Sequence, residues 1–84
     1  MDKNAPNSMK QLVEFVVKAI VDYPEDVRIN VVESGSTIVI ELSVAKPDIG
    51  KVIGKQGNMA RALRTILSNA STKLRKRTVL QILE

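Results

Sequence analysis

Gly54 and Gly57 bracket Lys55 and Gln56 in the stretch "DIGKVIGKQGNMARALRTIL", Asp48 to Leu67, which otherwise reads as two pieces of apolar-faced helix around Gly50, Gly54 and Gly57. A glycine costs about 1 kcal/mol against alanine in a helix interior, so the break calls for a reason. These residue types suit one chemistry, holding an anion without reacting with it. Glycine adopts positive φ at no steric cost and leaves nothing but hydrogen between peptide N–H groups and a phosphodiester. A helix opening at Gly57 presents unpaired N–H groups and the positive end of its dipole. Lys55 adds a cation at the loop tip, and Lys51 stands one helical turn earlier. The plainer alternative is a tight corner between helices with a solvated lysine, and G-x-x-G alone does not decide between the two.

Reaction chemistry has little to work with. The chain has no Cys and no His, which excludes thiol and imidazole catalysis, disulfide scaffolds and Cys/His zinc sites. The carboxylates are scattered, with no pair at acid–base spacing beside a nucleophile. The glycines miss both the G-x-G-x-x-G dinucleotide fingerprint and the P-loop pattern. No enzyme activity, metal or cofactor is expected.

Charge divides the chain in two. Residues 1–45 hold four basic and seven acidic side chains and residues 46–84 nine basic and two acidic, for net charges of −3 and +7. Such asymmetry suits one surface that faces a polyanion, or simply a solvated helix face. Phe15 and Tyr23 are the only aromatic residues, so base stacking of the kind RRM and OB folds use is poorly supported. Phe15 is expected in the core and Tyr23 at a packed helix end. No apolar run is long enough to span a bilayer, and "MDKNAPNS" lacks a secretory h-region. A cytoplasmic protein with no membrane insertion is expected.

The 84 residues are expected to form a flexible N-terminus, 1–7, and a single domain, 8–84. Ser8 and Gln11 fit a capping box, after which Met9, Leu12, Val13, Val16, Val17 and Ile20 give a helix one broad apolar face. Pro24 ends it. The period then changes to two: Val27, Ile29 and Val31, then Ile38, Ile40, Leu42 and Val44, around "ESGS", predict an antiparallel hairpin. Pro47 and Asp48 suit the start of a short helix ending at Gly54. A long helix follows Gly57, with Met59, Leu63, Ile66, Leu67, Ala70 and Leu74 on one face. "TVLQILE" predicts a last strand. The fold class is α+β, in the order α-β-β-α-α-β, with a three-stranded sheet covered by helices on one face. A strand that follows two helices cannot join by a hairpin, so a mixed sheet is expected.

"IGKVIGKQG" followed by "ARALRTIL" resembles a KH domain, whose GXXG loop clamps a nucleic-acid backbone. The element order resembles the type II arrangement, and the likeness runs from about Ser8 to Glu84. In size the chain is most similar to the small bacterial KhpA family. The resemblance implies single-stranded RNA as partner, single-stranded DNA as a second ligand, and a homodimer or a heteromer with a second, KhpB (Jag)-like KH protein. It implies an RNA chaperone or post-transcriptional regulator. Carried over, Gly54, Lys55, Gln56 and Gly57 form the clamp, and Ile49, Val52 and Ile53 line an apolar groove opposite the last strand. Ile53 is expected to be mostly core, and Ile49 or Val52 nearer the groove. Asn58 departs from the basic residue that many relatives carry there. It is read as a helix cap or a neutral hydrogen-bond donor, with Arg61 as compensation. Lys51 supports the clamp, and Arg75, Lys76 and Arg77 are candidates for additional phosphate contacts. The competing reading is a KH-fold protein–protein interaction module, in which Val32 and Val39 on the outer strand faces form a surface.

Overall fold

The computed structural model describes residues 5–73 and 75–83. Helix α1 (Ala5–Ile20) leads into strands β1 (Arg28–Ser34) and β2 (Thr37–Ser43). The short helix α2 (Ile49–Ile53), the long helix α3 (Asn58–Thr72) and strand β3 (Arg77–Leu83) follow. This is the expected α+β order of a type II KH fold. Residues 1–4, Leu74 and Glu84 lie outside the described residues, so the readings of the extreme terminus, of Leu74 on the long-helix face and of Glu84 in the last strand do not arise here.

The sheet order is β1-β2-β3. Strands β1 and β2 pair antiparallel through the two-residue turn Gly35-Ser36, with Ser34 opposite Thr37, while β2 and β3 pair parallel. The mixed sheet is therefore real. Parallel neighbours need a crossover, and α2, the glycine loop and α3 form it. Register builds the core in rows: Ile29, Leu42 and Ile82 stand side by side, as do Val31, Ile40 and Leu80. Over them lie Met9, Val13, Val17 and Val21 of α1 and its end, Val52 of α2, and Leu63 and Leu67 of α3.

Three sequence expectations change here. Helix α1 starts at Ala5, so exposed Ser8 is inside the helix and does not cap it; Pro6 falls in the first turn, where its missing N–H costs nothing. Phe15, expected in the core, is 75% exposed, and Tyr23, expected to pack at the helix end, is 46% exposed. The buried stripe of α1 advances in steps of four from Met9 to Val21, and at about 100° per residue Phe15 points away from it. Ile66, placed on the buried face of the long helix, is 47% exposed, while Ala60 and Ser71 are buried instead. The stripe of α3 runs through Ala60, Leu63, Leu67 and Ser71, and Ser71 Oγ satisfies itself by donating to the Ser68 carbonyl at 3.0 Å.

One polar contact sets where the crossover begins. Asp48, wholly buried, turns its carboxylate away from its own helix and makes no cap for α2. Its Oδ1 accepts the Asp22 N–H and its Oδ2 the Tyr23 N–H, both at 3.0 Å. The two donors follow the end of α1, so the start of α2 is tied to it. Helix α3 ends without glycine: Arg75 at φ 56 takes the left-handed position, with Arg75 N–H on the Thr72 carbonyl and Lys76 N–H on that of Ser71. This is a Schellman turn.

Urea unfolding of point variants checks this packing. Leu63→Ala should cost about 2–5 kcal/mol, whereas Phe15→Ala should stay within about 0.5 kcal/mol. Asp48→Ala strands two part-buried donors and should cost about 2–4 kcal/mol.

Candidate nucleic-acid interface

The corner between α2 and α3 is built from backbone conformations that few side chains tolerate. The Gly54 N–H closes α2 on the Gly50 carbonyl at 2.9 Å, and the Gly57 N–H returns to the Gly54 carbonyl at 3.1 Å. Gly54 has φ 81 and ψ 173, a region essentially reserved for glycine. A Cβ on Gly54 would lie 2.6 Å from both the Cβ and the backbone N of Met59. Gly57 is left-handed at φ 78 and ψ 11, with open space where its Cβ would be. The two glycines thus do different work. Gly54 lets α3 approach, and Gly57 turns the chain into it. Between them Gln56 is itself left-handed, at φ 57.

Helix α3 begins at Asn58 with Gly57 as its N-cap and no side-chain cap. The Asn58 side chain does not cap the helix, contrary to one of its two expected roles. The Asn58 N–H is taken by the Lys55 carbonyl, so the N–H groups of α3 that no side chain caps begin at Met59. Lys55, Gln56, Asn58 and Arg61 are all exposed around this point. Among the described residues neither Lys55 nor Arg61 makes an ion pair.

Other expected site residues are placed differently. Val52 is fully buried in the core, whereas Ile49 and Ile53 are half-buried and keep accessible surface. The expected division of labour between Val52 and Ile53 is therefore reversed: Val52 is the α2 residue buried in the core cluster that residues of α1, the sheet and α3 also form. Lys51 is engaged: its ammonium hydrogen-bonds the Asp22 carboxylate and lies 3.9 Å from Asp48 Oδ1. The Asp22 hydrogen bond holds Lys51 above the usual lysine pKa, against the lowering effect of desolvation. Arg75, Lys76 and Arg77 are at the other end of α3, a 15-residue helix, so about 22 Å of rise separates them from the loop. There Lys76 pairs with Glu33, and Arg77 donates its N–H to the Ser36 carbonyl at 2.8 Å.

Sequence reading gave no role to Asp22 or to Arg64. The Arg64 guanidinium reaches across to the Leu80 carbonyl on β3 at 3.4 Å through both Nε and a terminal nitrogen. No spacing rule links α3 to a strand that follows it, so only packing reveals this bridge.

The glycines can be separated by urea titration. Gly57→Ala should destabilise by about 1–2 kcal/mol, the cost of a Cβ in the left-handed region. Gly54→Ala should cost clearly more, because the Met59 backbone must also move.

Comparison with known proteins gives a consistent picture. The family model "KhpA/KhpB, KH domain" matches residues 10–82. The RNA-binding protein KhpA of Clostridium perfringens (strain 13 / Type A) is 48% identical over 75 residues, covering 89% of this chain and 100% of the relative. That of Aquifex aeolicus (strain VF5) is 50% identical over 78 residues, 93% of this chain and 99% of the relative. That of Chlamydia pneumoniae is 47% identical over 76 residues, 90% and 97% respectively. With a glycine corner between two helices, a mixed three-stranded sheet and this likeness along its length, the chain belongs to the KhpA/KhpB family of KH domains.

Proposed function

We infer that this chain binds short single-stranded RNA, without catalysis, through Gly54-Lys55-Gln56-Gly57 and the first turn of α3. The observation that carries the reading is the loop backbone. Positive φ at Gly54, Gln56 and Gly57 folds the corner tightly, with no capping side chain in front of the α3 N–H groups. A phosphodiester at that point meets the positive end of a helix dipole, whose N–H groups beyond Asn58 have no side-chain cap, together with Lys55 and Arg61. Ile49 and Ile53 offer bases an aliphatic surface, and Asn58 offers a neutral hydrogen bond. Relatives named RNA-binding protein KhpA support the same ligand.

Roughly four nucleotides are held by one such module. Its affinity alone is low, so avidity comes from a second copy or from a second KH protein of the KhpB (Jag) kind. Arg75, Lys76 and Arg77, a helix length away, serve only a longer RNA. Residues 8–84 act as the single KH unit of a cytoplasmic RNA chaperone or post-transcriptional regulator. Single-stranded DNA offers the same phosphates and tests how far the 2′-hydroxyl matters.

Fluorescence anisotropy with short single-stranded RNA and DNA across a salt series tests the clamp. In the double variant Lys55→Asp, Gln56→Asp, aspartate is tolerated at the left-handed position, so circular dichroism should not change. Affinity at low salt should fall roughly tenfold or more, with a shallower salt dependence. Equal binding by both proteins would reject the loop as the site. The absence of binding by wild type would turn attention to a protein partner.

A further inference from the structure

Lys51 lies on the helix that carries the glycine loop, four residues before Lys55, yet its ammonium is held by an acid from another part of the fold. Asp22, just past the end of α1, hydrogen-bonds it, and Asp48 stands 3.9 Å away. The two acids differ. Asp48 is buried, and both its oxygens already accept backbone N–H groups. The Asp22 side chain is 68% exposed and that of Lys51 43%, so their pair exchanges with solvent and adds little to stability. Two carboxylates around one ammonium leave this spot net negative beside the proposed clamp. Lys51 stands in α2 three residues before Gly54, where the glycine loop begins.

We propose that Asp22 is an affinity-setting residue, which withholds Lys51 from RNA phosphate until a bound strand displaces its carboxylate. The proposal rests on the RNA-binding reading above and deepens it. Asp48 fixes the start of α2 and cannot leave, whereas the Asp22 side chain can swing into water without disturbing its own N–H bond to Asp48. A phosphate held by the loop then competes for Lys51 as a second anion against the first. Asp22 lowers affinity and flattens salt dependence, because one cation of the surface is neutralised before RNA arrives. Lys55 has no such restraint among the described residues.

A double-mutant cycle on the full chain tests this with Asp22→Asn, Lys51→Ala and the pair of changes together, using short single-stranded RNA across a salt series. Asparagine keeps the backbone contact to Asp48, and circular dichroism should show an unchanged fold. Asp22→Asn should raise affinity about two- to fivefold at low salt. It should steepen the log–log salt slope by about 0.7, the value for one further phosphate on a single strand. Both gains should vanish when Lys51 is alanine. NMR titration of the Lys51 side chain in the RNA-free protein should show its pKa falling toward the ordinary lysine value in Asp22→Asn. A gain that survives in the Lys51→Ala background would overturn the proposal, since Asp22 would then act as a distant negative charge. So would wild-type binding with no gain in Asp22→Asn. If wild type binds no RNA, the underlying reading of the site falls as well, which separates the two failures.

Discussion

A buried carboxylate carrying two backbone N–H groups joins the acidic half of this chain to the basic half. Asp48 receives the Asp22 and Tyr23 N–H groups at 3.0 Å each, and with them the orientation of α1 relative to α2. Burying a charge without partners is costly, so such a group persists only where its acceptors are filled. Here they are filled by main chain, which no side-chain change at Asp22 or Tyr23 removes. The consequence runs forward along the sequence. Once the start of α2 is fixed, five residues later the chain reaches Gly54, and the loop and the first turn of α3 follow from there.

The same contact decides the electrostatics of the site. By drawing the residues after α1 onto α2, it brings Asp22 to Lys51, while Lys55 and Arg61 have no acidic partner among the described residues. The net charge of the basic half therefore overstates what an approaching anion meets. Lys51 and Lys76 are paired, and Arg64 is turned onto a β3 carbonyl. The cations left around the loop, Lys55 and Arg61, stand where the α3 dipole adds to them.

Much of the architecture was legible because it depends on local rules. The change from helical to two-residue period marks the hairpin, and glycine at 54 and 57 marks a corner that other residues make only at a cost. A strand after two helices implies parallel pairing. Where reading by residue type replaced reading by period, it misled. Phe15 suits a core by its type, yet Met9, Val13 and Val17 define a stripe on the opposite side of the helix. Val52 and Ile53 are neighbours of similar character, and their exposure depends on how a five-residue helix is rotated against three other elements. The end of α3 carries no glycine: Arg75 occupies a left-handed position that glycine usually fills.

The sequence by itself determined the element order, the strand alternation and the glycine corner, because each follows from backbone sterics and side-chain period within a few residues. The tertiary structure alone decided which groups the charges meet. Asp48 finds its donors 26 and 25 residues away, Lys51 its acid 29 residues away, and Arg64 its carbonyl 16 residues on. Contacts at such separations depend on how helices cross the sheet, and no local pattern in the chain records that angle.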